Sequence, residues 1–186
     1  MVEQQSKRII HGAGALPLDI VLIGCGTVGT ELLRQLAAQV TELAKSGIAA
    51  RVVAIANSRR MVMAPDRIDL SAWAERLSAG APLDLDTLVR LGSALSNPVL
   101  VDCTASDAIP AAYPAFLAAG FNVVTPNKRG NTGTMAAYLE LKRLAAACGR
   151  RYLYEATVGA GLPVMDNLRS LFLSGDSLTS FSGILS

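Results

Sequence analysis

Leu18 to Ile23 (LDIVLI) is a short apolar run, and it leads without a break into Gly24-Cys25-Gly26-Thr27-Val28-Gly29. A run this short, mostly β-branched or leucine, reads as a buried strand. The residues that follow read as a helix. Val28, Leu32, Leu36, Val40 and Leu43 recur at helical spacing, and Gly47 supplies the stop. The junction is therefore strand, G-x-G-x-x-G, helix. In that setting Gly24 allows the tight turn, Gly26 lets a pyrophosphate approach the backbone, and Gly29 lets the helix pack close to the strand. The start of the helix offers unpaired N–H groups and the positive end of its dipole to the phosphates. The site so read is Gly24, Gly26, Thr27, Val28 and Gly29. The competing reading is a glycine-rich turn in some other doubly wound fold.

Further along, strands keep alternating with helices. Strands are expected at Arg51–Ala56, Pro98–Cys103, Phe121–Thr125 and Arg151–Ala156, with a last one in Ser177–Ser186. Helices are expected at Leu70–Ala79, Leu85–Leu95, Asp107–Ala119, Asn131–Cys148 and Leu162–Leu173. Asp69 and Asp84 stand where helix N-caps would be, and Trp73 should anchor its helix against the body of the domain. Parallel neighbours need a crossover, so the order implies an α/β, doubly wound parallel sheet of about six strands with helices on both faces. Residues 1–17 read as a leader or linker and 18–175 as the dinucleotide-binding domain.

Composition narrows the chemistry. With 51% apolar and 17% charged residues the chain can fill a core. A formal net charge of +2, with no long run of either sign, leaves no footprint for nucleic acid. No apolar stretch approaches the roughly 18 residues of a membrane span. The three cysteines are widely spaced and form no CxxC pair, which argues against a disulfide framework or zinc site and for a reducing, cytoplasmic setting. Cys25 and Cys103 read as small packing residues, because a reactive thiol would want a histidine beside it. The only histidine is His11, in the leader, so no histidine triad or multi-histidine metal site is complete here.

The end of the second strand speaks to the kind of dinucleotide. An NAD site usually carries Asp or Glu there, to hold the ribose hydroxyls. This chain has Asn57-Ser58-Arg59-Arg60, and no acidic residue between Glu42 and Asp66. Asn57 and Ser58 can donate hydrogen bonds, and Arg59 or Arg60 can pair with a 2′-phosphate. NADP is favoured on these grounds, with NAD the alternative. Ordinary solvated loop charges are the other reading of the arginines.

Three more segments fall at expected strand ends, on the carboxyl edge where such sheets bind ligands. They are Val101–Ser106 (VDCTAS), Val123–Lys128 (VVTPNK) and Tyr154–Pro163 (YEATVGAGLP). In this order, behind the glycine loop, they resemble the cofactor domain of homoserine dehydrogenase. The resemblance covers residues 18–186. Residues 57–97, with Trp73, look more like the bifunctional aspartokinase–homoserine dehydrogenase type.

The resemblance implies NAD(P)-linked interconversion of L-aspartate 4-semialdehyde and L-homoserine, on the way to threonine and methionine. Lys128 then becomes the expected catalytic residue, near the nicotinamide, where a cation would stabilise a developing alkoxide. Thr104 and Ser106 would line the nicotinamide side, a role compatible with capping the next helix. The resemblance also places a monovalent cation such as sodium among Glu155, Val158, Ala160 and Leu162, mostly through backbone carbonyls. A plain surface lysine at 128, and a glycine turn with an exposed Glu155, are the alternatives.

In this family the groups that hold the amino-acid substrate lie beyond a segment like Phe181–Ser186 (FSGILS). The expectation is that 176–186 begins a catalytic and dimerisation domain absent from this sequence, and that the 186 residues alone bind cofactor without turnover. The complete enzyme would be a homo-oligomer. Two other readings stay open: a nucleotide-sensing module, and the cofactor half of another amino-acid or semialdehyde dehydrogenase. A sensor needs neither Lys128 nor the VGAGLP segment. A thioacyl-forming enzyme needs a catalytic cysteine after the third strand, and Cys103 is too close to the cofactor loop to serve.

Overall fold

The apolar runs become a parallel sheet. The structure, a computed structural model, describes residues 15–159 and 161–183. Strands β1 (Leu16–Ile23), β2 (Ile48–Ala56), β5 (Pro98–Asp102), β6 (Asn122–Val124) and β7 (Tyr152–Leu153) lie parallel in the order β2-β1-β5-β6-β7. β3 (Arg60–Met63) and β4 (Ala81–Pro82) run antiparallel beyond β2 and complete a seven-stranded sheet. The helices are α1 (Thr27–Lys45), α2 (Trp73–Ser78), α3 (Leu85–Arg90), α4 (Ala108–Ala118), α5 (Met135–Ala147) and α6 (Val164–Leu173). No helix among the described residues is long and apolar enough to cross a membrane.

Both faces of the sheet are covered, and β1 shows why its run is continuously apolar. Val21 and Ile23 enter one core with Tyr113, Phe116 and Leu117 of α4. Ile20 and Leu22 enter the other with Leu33 of α1 and Leu77 of α2. Successive residues of a strand face opposite ways, so a doubly covered strand has no polar side to show. Trp73 packs against this second core, as its isolation in the sequence suggested.

Several boundaries differ from expectation. β1 begins at Leu16, so Leu16 and Pro17 pair with Ile48 and Ala49 and belong to the sheet; residues 1–14 of the expected leader, with His11, lie outside the described residues. The buried stripe of α1 is Gly29 and Leu33, flanked by the half-buried Leu32 and Leu36, while Val28 and Val40 are exposed. The close packing of Gly29 on the preceding turn fixes that rotation. The antiparallel β3–β4 pair was not expected; its strands are joined by residues 64–80, which include α2. Asp84 caps α3 by accepting from the Thr87 N–H at 3.2 Å. Asp69 instead closes a local turn onto Ser71, and α2 starts only at Trp73. α5 starts at Met135, not Asn131, because residues 128–131 form a separate 3-10 turn and Thr134 supplies the cap. The fifth expected strand shrinks to Tyr152–Leu153, since 155–157 curl into another 3-10 turn. Residues 177–183 form no strand, there being no sheet edge that pairs with them, and 184–186 lie outside the described residues.

Candidate functional site

The chain passes from β1 to β2 on one side and reaches β5 on the other. Ile23 and Asp102, the last residues of β1 and β5, stand side by side in register. This is the place where strand order reverses, and it opens a crevice at the carboxyl ends.

Gly24 makes the turn out of β1 with φ +101°, a conformation that L side chains rarely adopt, and its N–H donates to the Ala56 carbonyl at 2.8 Å. A Cβ on Gly24 would lie 2.7 Å from the carbonyl carbon of Cys103. A Cβ on Gly29 would lie 1.9 Å from the Gly24 oxygen, so α1 could not seat where it does. Gly26 is different. A Cβ there meets nothing within 4 Å, and its side faces open space at the start of α1. No side chain caps that helix and no acidic residue sits in its first turn. Thr27 and Val28 are exposed there. The first N–H groups of α1 thus stay available to an anion, and the residues fit a pyrophosphate.

At the end of β2, Asn57 organises the loop. Its Oδ1 accepts from the N–H groups of Arg59 and Arg60, both at 2.8 Å. Ser58 and Arg59 are exposed. The two arginines part company here: the Arg60 guanidinium donates to the Gly80 carbonyl, just before β4, at 2.7 Å, while the Arg59 side chain makes no hydrogen bond among the described residues.

Beyond β5 and β6 the loops are tied together by a buried polar cluster that the sequence did not advertise. Asp102 is fully buried. Its Oδ1 accepts from the Thr104 N–H at 2.8 Å. Its Oδ2 accepts from the Tyr113 hydroxyl at 2.6 Å and from Asn127 Nδ2 at 3.0 Å. Thr125 Oγ1 donates to the Asp102 carbonyl at 2.9 Å and accepts from the Asn127 N–H at 2.8 Å. Asn127 Nδ2 also reaches the Ser106 carbonyl at 2.9 Å and Thr104 Oγ1 at 3.2 Å. Asn127 Oδ1 accepts from the Arg129 N–H and caps the 3-10 turn that begins at Lys128. The far end of that turn is fixed by Tyr152, whose hydroxyl donates to Asn131 Oδ1 at 2.8 Å. The Lys128 side chain is exposed and takes part in no hydrogen bond or ion pair among the described residues. Ser106 Oγ accepts from the Ala108 N–H at 3.1 Å, so it does help to start α4.

Burial favours the neutral form of both thiols. Burial pushes Cys25 up to about 11. Burial, then the negative charge of Asp102, push Cys103 up to about 11 as well. Burial and the hydrogen bond to Asp102 lift the Tyr113 phenol far above its ordinary range, so it remains a donor.

The structure therefore brings Gly24, Gly26, Thr27, Val28, Gly29, Asn57, Thr104, Ser106 and Lys128 to one edge. Glu155 follows β7 at the same carboxyl edge, but no hydrogen bond among the described residues joins the 155–162 segment to these residues. Glu155 is half-buried, not exposed, and its carboxylate accepts from the Met165 and Asp166 N–H groups, both at 2.9 Å, at the start of α6. The Leu162 carbonyl accepts from the Val164 N–H at 2.9 Å. Val158 is half-buried, and Ala160 lies outside the described residues. No group of three His, Cys, Asp or Glu side chains able to hold a metal ion occurs among the described residues. A groove of about 560 Å³ between α1, β2 and residues 67–76 is lined by none of the candidate residues.

Comparison with known proteins matches residues 24–155 to the family described as homoserine dehydrogenase, NAD binding domain. The bifunctional aspartokinase/homoserine dehydrogenase of Haemophilus influenzae is 44% identical over 173 residues, which cover 91% of this chain and 21% of that protein. The crystal structure of homoserine dehydrogenase from Thermoplasma acidophilum superposes with a TM-score of 0.69 at 27% identity, over 85% of this chain and 49% of the other. A hyperthermophilic archaeal homoserine dehydrogenase mutant in complex with NADPH superposes with a TM-score of 0.69 at 26% identity, over 85% of this chain and 50% of the other. The chain thus spans about a fifth of the length of the bifunctional relatives it matches.

Proposed function

Since the chain belongs to the homoserine dehydrogenase family, as its NAD(P)-binding domain, we propose that it seats NADP in preference to NAD and serves the interconversion of L-aspartate 4-semialdehyde and L-homoserine. The observation that carries this reading is the shared edge: an open helix N-terminus at Gly26 and an exposed lysine on a pinned turn, joined through loops that touch one another. When bound, the nicotinamide cofactor supplies or accepts the hydride.

Each residue then has a physical task. The N–H groups at the start of α1 hold the pyrophosphate. Arg59, with the hydroxyl of Ser58 and the free amide nitrogen of Asn57, holds the 2′-phosphate, and the lack of a carboxylate at this loop removes the repulsion an NAD-type site would exert. Arg60 ties the start of β3 to Gly80, just before β4. Lys128 stabilises negative charge on the substrate oxygen as the carbonyl is reduced, and holds the alkoxide in the reverse direction. Thr104 and Ser106 wall the nicotinamide pocket.

A sodium ion at the turn between Glu155 and Leu162 is a further part of the proposal. The loop turns sharply at Gly159, with φ +72°, which favours carbonyls converging on one centre. The bonds already made by the Glu155 carboxylate and the Leu162 carbonyl mean that such an ion must share those oxygens. The complete enzyme is proposed to be a cytoplasmic homo-oligomer. Calorimetric titration of the chain with NADPH and NADH, in sodium and in choline buffers, tests the reading. Tighter binding of NADPH supports it; equal affinities contradict the preference, and identical results in both buffers contradict the cation.

A further inference from the structure

The Asp102 carboxylate is out of water, yet no arginine, lysine or histidine pairs with it among the described residues. A buried anion is tolerated only where it is hydrogen-bonded, and each missing donor carries the full cost of desolvation. Here the donors are three neutral groups from three separate segments. Thr104 belongs to the loop after β5, Tyr113 to α4, and Asn127 to the loop after β6. A leucine or valine at the end of β5 would suit the core around it better. The carboxylate therefore needs a reason in what it orients.

We infer that Asp102 is a positioning residue whose buried carboxylate sets Asn127 and Thr104 together, and so holds the Lys128 turn in register with the Thr104–Ser106 loop that faces it. The inference rests on the proposed function, in which these two loops wall the nicotinamide. Asn127 is the lever. Its Nδ2 is drawn to Asp102 and to the Ser106 carbonyl, which leaves Oδ1 turned to the Arg129 N–H at the start of the lysine turn. Thr104 is set from the other oxygen of the same carboxylate. Tyr113 saturates that group from below, between α4 and Thr125. The remote part of a dinucleotide, held at Gly26 and Arg59, touches none of this.

That separation yields the test. Asp102→Asn keeps the shape but places an amide NH₂ against one of the donors. Tyr113→Phe keeps the packed ring and removes one donor, which serves if the first variant does not fold. Each is compared with the wild-type chain by titration with NADPH and with 2′,5′-ADP, which lacks the nicotinamide. The fluorescence of the nicotinamide at saturating NADPH is recorded alongside. The expected result is NADPH affinity reduced by about fivefold or more, 2′,5′-ADP affinity within about twofold, and bound nicotinamide fluorescence shifted toward that of free NADPH. Equal losses for both ligands, or unchanged fluorescence, overturn the positioning role. If the wild-type chain binds 2′,5′-ADP and NADPH with equal affinity and bound NADPH emits as free NADPH does, the inference falls while a phosphate site at Gly26 stands. If it binds neither, the proposed function falls and takes the inference with it.

Discussion

Arg59 and Arg60 are adjacent and chemically identical, yet the fold separates their roles. The Gly80 carbonyl occupies Arg60, and the Arg59 side chain, beside Asn57 and Ser58, makes no hydrogen bond among the described residues. Arg59→Ala should weaken NADPH by about tenfold, or roughly 1.4 kcal/mol, and leave NADH nearly unchanged. Arg60→Ala should act mainly on stability, which paired titrations and thermal melts would separate. The thiols make a second residue-scale prediction. Burial raises Cys25 and Cys103 from 9.0 to about 11. A thiol with a raised folded value favours the folded state below pH 9, and that contribution is lost as pH climbs through 11. Urea midpoints should fall between pH 8 and pH 10 by more in the wild type than in a Cys25→Ala/Cys103→Ala variant. Equal slopes in the two proteins would show that the thiols carry none of the effect.

At the scale of elements, the first turn depends on close approach. Gly29→Ala puts a methyl 1.9 Å from the Gly24 oxygen, so α1 must lift off the sheet. Overpacking of this kind costs about 1–3 kcal/mol, with more where backbone must move, and a drop in melting temperature together with weaker NADPH binding is expected. The glycine loop was legible because each glycine answers to a local demand that sequence order displays. The parallel strands were legible too, since strands covered on both faces read as unbroken apolar runs. The antiparallel β3–β4 pair was not: Arg60-Met61-Val62-Met63 is too short for its period to stand out, and β4 is two residues long. The stripe on α1 was misjudged because several apolar rows compete along a helix rich in leucine and valine, and only the contact at Gly29 selects one. The Asp102 cluster joins residues up to 25 positions apart through side-chain hydrogen bonds, which leave no periodic trace. What could have flagged it is an aspartate closing the apolar strand Pro98–Asp102, followed 25 residues later by an asparagine directly before the lysine.

Taken as a whole molecule, the described residues supply a cofactor seat and, in the proposed reading, a single cation, Lys128, for the chemistry. Two carboxylates on this edge are committed elsewhere, Asp102 inside the polar cluster and Glu155 at the start of α6, while Asp107 is exposed and pairs only loosely with Arg129 at 3.6 Å. An amino acid that carries both an ammonium and a carboxylate needs partners for each before hydride transfer can be aligned, and that alignment is worth roughly 7–11 kcal/mol of the barrier. The 186-residue chain should therefore show no measurable oxidation of homoserine while still binding NADPH. An absorbance assay at 340 nm, set by the cofactor, checks this. A turnover comparable to that of a chain extended through the substrate-binding part would contradict it. The central claim, that Gly26 receives a dinucleotide pyrophosphate at the start of α1, has a more direct test. A side chain at Gly26 has open space, with φ −76° that any residue adopts, so Gly26→Val should fold as the wild type does. Calorimetric titration with NADPH, after the melting temperatures of the two proteins are shown to agree, should give one saturable site for the wild type and no detectable heat of binding for Gly26→Val. Equal affinity in the two would mean that the dinucleotide does not approach the backbone there.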